Sequence, residues 1–79
     1  MYYVYLLECA DKSIYTGITN DLEHRLKQHR AGSASKYTRA KKALRIMYSE
    51  KHANRGAALQ REAQIKHWPR QKKLDLINS

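Results

Sequence analysis

The stretch from Tyr2 to Cys9 constrains the fold of this chain more than any other. Tyr-Tyr-Val-Tyr-Leu-Leu-Glu-Cys is rich in aromatic and branched side chains and apolar on both alternating faces. It reads as a strand covered on both sides, and so as the central strand of its sheet. Ala10-Asp11-Lys12-Ser13 is a turn sequence, and Ser13 to Ile18 returns as a second strand. A connection this short makes an antiparallel hairpin, because a parallel crossover needs a dozen or more residues.

Beyond the hairpin the pattern turns helical. Thr19, Asn20 and Asp21 offer N-cap side chains, and Leu22, Leu26 and Ala31 follow at helical spacing. Gly32 is placed to end the helix, which is predicted over Asp21 to Arg30. Ser33 to Lys42 reads as a loop with a short helical turn around Lys36 to Arg39, and Ala43 to Glu50 as a third strand. Asn54 caps a helix over Arg55 to His67, with Ala58, Leu59, Ala63 and Ile65 or Lys66 toward the sheet. Pro69 breaks that helix and opens a last one to Ile77, which presents Leu74 and Ile77 with Leu76 flanking. The order β-β-α-β-α-α implies an α/β chain of the α+β kind, a three-stranded antiparallel sheet flanked by helices. No linker divides it, so residues 1–79 are expected to form one domain.

The charge points to a partner. Sixteen basic residues stand against seven acidic ones, for a net charge of +9. Residues 1–35 carry four of each sign, whereas residues 36–73 carry twelve basic and two acidic residues. A basic half of this kind is the footprint expected for a polyanion such as nucleic acid. No basic helix face is backed by a large apolar one, which disfavours a membrane surface. The longest apolar run is too short to span a bilayer, and the N-terminus lacks a basic n-region. One cysteine, Cys9, excludes an internal disulfide and fits a reducing, cytoplasmic setting; at the end of an apolar run it reads as a small buried hydrophobe. His24, His52 and His67 lack zinc-ligand spacing.

The chemistry-bearing residues are Tyr5, Tyr15, Arg25 and His29, spaced ten, ten and four residues apart, with Glu62 later as the one carboxylate of its helix. On adjacent antiparallel strands Tyr5 and Tyr15 can share a sheet face, and Arg25 and His29, at i and i+4, share a helix face. Arg25 matches phosphate oxygens with a permanent cation, and Glu62 suits a hard divalent cation that keeps several waters. A nearby cation would lower a phenol's pKa and make it a candidate base. The basic run Lys36-Tyr37, Arg39, Lys41 and Lys42, with Lys66, is the candidate contact to nucleic-acid backbone. Trp68 beside Pro69 reads as a packing residue at a hinge.

Tyr3-Val4-Tyr5 on a first strand, Tyr15-Thr16-Gly17 on a second, Arg25 on a helix and Glu62 on a later helix resemble the GIY-YIG nuclease family. The resemblance runs from Tyr3 to about Ile77. It is strongest to small stand-alone members, through Tyr15-Thr16-Gly17-Ile18-Thr19, Lys36-Tyr37-Thr38-Arg39 and Arg61-Glu62-Ala63-Gln64-Ile65-Lys66. It implies a metal-dependent endonuclease, with Tyr5, Tyr15, Arg25, His29 and Glu62 catalytic and one Mg²⁺ or Mn²⁺ on Glu62. A tyrosine, or a water held by one, would be the base and Arg25 would sit at the scissile phosphate. The first motif departs from the family name by carrying Tyr3 in place of Gly. Ile18 stands where some members carry Lys, which removes one phosphate contact or base. DNA is the favoured substrate. The alternative is a non-catalytic nucleic-acid-binding module that keeps the nuclease fold. Which tyrosine takes the proton, and whether the chain pairs with a second copy or a protein partner, stay open at this level.

Overall fold

The computed structural model describes residues 1–79. Its elements are β1 Tyr2–Cys9, β2 Ile14–Thr19, α1 Leu22–Arg30, α2 Lys36–Lys41, β3 Ala43–His52, α3 Arg55–Lys66 and α4 Arg70–Ile77. The three strands form one antiparallel sheet in the order β2-β1-β3, so the doubly apolar strand is central, as its composition requires. The expected element order holds, and the helical turn foreseen after Gly32 is a six-residue helix, α2.

Alternation along β1 divides the core into two layers. Val4 and Leu6 meet Ala58 and Ile65 of α3, with Trp68, Leu76 and Ile77 closing that side. Tyr5, Leu7 and Cys9 face the other way, onto Tyr15 and Leu22 and Leu26 of α1. Cys9 is a buried free thiol, in keeping with the hydrophobe reading.

Local chemistry sets the element ends. In the hairpin, Asp11 accepts hydrogen bonds from the Ser13 amide at 3.0 Å and hydroxyl at 2.6 Å, so β2 begins at Ile14, one residue later than Ser13. The cap of α1 is Asp21, whose Oδ1 accepts from the His24 amide at 3.0 Å. The same helix ends in a Schellman arrangement. The Ser33 amide donates to Gln28 O and the Gly32 amide to His29 O, with Gly32 at φ 80°. Ser35 caps α2 and Asn54 caps α3 through their side-chain oxygens. Pro69 is the N-cap of α4, its φ of −65° already suited to the entry.

Two expectations are corrected. Ala31 is the exposed C-cap of α1 and not part of its apolar stripe. On α3, Leu59 and Ala63 are exposed, and the inward stripe is Ala58, Arg61, Glu62 and Ile65. That stripe obeys helical spacing, but two of its members are charged, so hydrophobicity alone turns the helix the wrong way.

Candidate active site

Tyr5 and Gly17 are directly paired across β1 and β2, as are Leu7 and Tyr15. The Tyr5 and Tyr15 rings therefore share a face, with centroids 6.4 Å apart. Gly17 makes the arrangement sterically feasible. A Cβ there would stand 2.5 Å from the Tyr5 hydroxyl, 2.7 Å from Cζ and 3.1 Å from the Tyr15 ring. The Tyr-x-Gly pattern is thus a packing requirement: the glycine leaves the space over which the Tyr5 ring lies. Because Tyr5 is 1% exposed, it has little room to yield. Gly17→Ala is expected to cost about 1–3 kcal/mol of stability and to displace the Tyr5 hydroxyl. Chemical denaturation checks the first, and loss of the shielded Tyr5 ring signals by NMR checks the second.

Tyr5, Tyr15, Arg25 and Glu62 line one open cleft of about 420 Å³ at the β2 edge of the sheet. Asn20 and Arg55 line it as well. Arg25 comes from α1 on one side of the sheet and Glu62 from α3 on the other, so the cleft wraps the outer strand. Arg61, the residue before Glu62, is tied to β3. Arg61 Nε donates to Glu50 at 2.9 Å, and the Arg61 guanidinium lies 5.2 Å from the Trp68 ring centroid. Glu50 also accepts from the Tyr48 hydroxyl and pairs with His52, each at 2.7 Å. These bonds and the Arg61 cation pull the Glu50 carboxyl below its usual range against the effect of burial, which acts upward. Trp68, with Lys72 on its ring as well, packs at the α3–α4 hinge as expected.

His29 lies behind the cleft and does not line it. It is 1% exposed, the one buried residue of α1. Its Nε2 is 2.7 Å from the Tyr5 hydroxyl and its Nδ1 is 2.7 Å from Thr38 Oγ1. Thr38, fully buried on α2, in turn donates to the Ser35 carbonyl at 3.3 Å. That last bond uses the threonine proton, so Thr38 accepts from His29 Nδ1–H, and the neutral ring accepts the Tyr5 proton at Nε2. Burial pushes the His29 pKa down, and the Arg25 cation adds to the effect. For Tyr5, burial pushes the phenol up, the Tyr15 phenol adds to it, Arg25 opposes it and Glu62 adds again. The expectation that a cation lowers the phenol holds in direction for Arg25, but burial outweighs it. Both shifts favour the neutral form of each partner.

The residues expected to contact nucleic acid fall in three groups. Lys36, Arg39, Lys41 and Lys42 are exposed on and just after α2, with Lys41 paired to Asp11 at 3.0 Å. Tyr37 packs on Tyr15, with centroids 5.8 Å apart, and remains 42% exposed. Lys66 stands 3.8 Å from Glu62 across one helical turn, at the margin of an ion pair. Thr38, Asn20 and Arg55 were not singled out from sequence. Thr38 lies within the quoted Lys36-Tyr37-Thr38-Arg39 phrase, yet its nine-residue separation from His29 crosses a helix end, where periodicity carries no signal.

A family model described as the GIY-YIG catalytic domain matches residues 1–75. A UPF0213 protein of Oceanobacillus iheyensis is 49% identical over 76 residues, covering 96% of this chain and 88% of its own. One of Haloquadratum walsbyi is 45% identical over 75 residues, covering 95% and 84%. The solution NMR structure of a UPF0213 protein from Bacillus halodurans superposes with a TM-score of 0.61 at 39% identity, covering 99% of this chain and 84% of that one.

Proposed function

We propose that this chain, which belongs to the GIY-YIG family, is a metal-dependent endonuclease that hydrolyses phosphodiester bonds in nucleic acid, with DNA favoured. One observation carries the reading: the hydrogen-bonded series Tyr5–His29–Thr38 ends in a cleft that also holds Arg25 and Glu62. Packing alone does not account for a buried neutral histidine accepting a phenol proton beside an arginine and a carboxylate.

In this mechanism a water in the cleft gives its proton to Tyr5 Oη as it attacks phosphorus. The Tyr5 proton passes to His29 Nε2, and the resulting imidazolium is held through Nδ1–H by Thr38. Arg25 meets the non-bridging oxygens, where charge accumulates. Glu62 offers a single hard carboxylate in an open, polar cleft. No cluster of three or more His, Cys, Asp or Glu accompanies it. This donor set does not make an all-protein cage, but it fits Mg²⁺ or Mn²⁺ held largely by waters and substrate phosphate. When bound, that cation would supply charge stabilisation at the leaving oxygen.

The test is cleavage of branched, single-stranded and duplex substrates at high enzyme concentration. Cleavage of at least one is expected with Mg²⁺ or Mn²⁺ and none with a chelator. If all stay intact with metal while binding persists and weakens steeply with salt, the chain is the non-catalytic binding module instead.

A further inference from the structure

A second recess lies beside the cleft. It measures about 230 Å³ and is lined by Ser13, Ile14, Tyr37, Arg70 and Lys73. The two hollows follow the same strand. Tyr15, Gly17 and Thr19 of β2 border the cleft, and Ile14, with Ser13 just before it, borders the recess. Between them stands Tyr15, whose ring packs against Tyr37. From Gly17 to Ile14 the strand rises about 10 Å. That is the length of about three stacked nucleotides.

We propose that Tyr37, Arg70 and Lys73 form a subsite for an unpaired nucleotide a few positions along the strand from the scissile phosphate, its base on the Tyr37 ring and its phosphate between Arg70 and Lys73. The proposal deepens the nuclease reading and rests on it for the direction in which the strand runs. Tyr15 packs on Tyr37, yet enough of Tyr37 stays exposed for a base to reach its ring. Arg70 and Lys73 are one helical turn apart on α4 and point at the same hollow. One Arg70 nitrogen donates to the Lys12 carbonyl, which anchors the guanidinium at the rim of the recess it lines. Burial, and then Lys66, push the Lys73 ammonium below the ordinary lysine value, so an anion there would relieve an existing penalty. The recess is on the scale of a single nucleotide, and stacking on Tyr37 requires a base that is not paired.

Fluorescence anisotropy of a labelled single-stranded oligothymidylate, with chelator present so that nothing is cut, tests the subsite. Tyr37→Ala and Lys73→Gln are each expected to weaken binding about tenfold, whereas Tyr37→Phe keeps it. Lys51→Gln, which removes the same charge from β3 on the far side of the sheet, is expected to change binding little. Lys73→Gln tests the proposal by itself should Tyr37→Ala fold poorly. Wild-type binding by Lys73→Gln, or an equal loss in Lys51→Gln, would overturn it. The readout is independent of cleavage: a chain that cuts but shows no subsite effect loses this inference alone, and one that shows the effect but never cuts loses only the nuclease reading.

Discussion

Glu62→Gln is expected to lower single-turnover cleavage on the order of a thousandfold at saturating Mg²⁺ while leaving the fold intact. The substitution preserves shape and removes the charge that would hold a hard cation. Its structural cost is small, because the carboxylate's ion pair is with Lys66 at 3.8 Å, and Lys66 is half exposed. Pairs of that kind contribute about 0–1 kcal/mol. The orientation of α3 rests on Arg61, Ala58 and Ile65, none of which the substitution touches. Thermal melting should therefore stay near wild type, and binding measured with chelator should hold or tighten, since one negative charge has left a basic cleft. Arg25→Lys is a useful companion. It keeps the charge and loses the fork, so it should slow cleavage without restoring the wild-type rate at any metal concentration. A Glu62→Gln protein that cuts at the wild-type rate would remove Glu62 from the chemistry.

The sequence was informative about the site where it follows strand and helix periods. Tyr5 and Tyr15 share a face because alternation and a short turn require it, and Leu22 and Leu26 pin α1 because they recur at helical spacing. Alternation failed to show why Gly17 matters, since the reason is a close approach from the neighbouring strand. Helical hydrophobicity misplaced the inner face of α3, because Glu62, which lines the cleft, and Arg61, which bonds Glu50, occupy it. His29 was legible as a candidate site residue, but its depth was not. A histidine at i+4 from an exposed-looking arginine gives no sign that it will be buried under a tyrosine. Its partner Thr38 lies past the end of α1, on the short helix α2, and only the folded chain brings them together.

The proton path through those residues yields the second large effect. Tyr5→Phe is expected to slow cleavage by about 10²–10⁴-fold, the range for loss of a positioned proton-transfer group. Thr38→Val should slow it less, since the His29 ring stays in place but its buried Nδ1–H loses an acceptor. That loss costs about 1–3 kcal/mol of stability. Thr38→Ser restores the acceptor and should recover both rate and stability, which a purely steric role for the threonine methyl would not allow. The pH profile adds a distinct signature. His29 must be neutral to receive the proton, and burial and Arg25 hold its pKa below the ordinary 6.5. The acid limb of the rate should accordingly fall below that value. Stability follows the same sign: a depressed folded pKa means the unfolded chain binds the proton more readily, so the His29 contribution is complete above about 6.5 and is lost as pH falls through the folded value. His29→Gln should flatten this part of the stability curve in denaturation series run between neutral and mildly acidic pH. A curve with the same slope in both proteins would show that His29 is not the group being titrated.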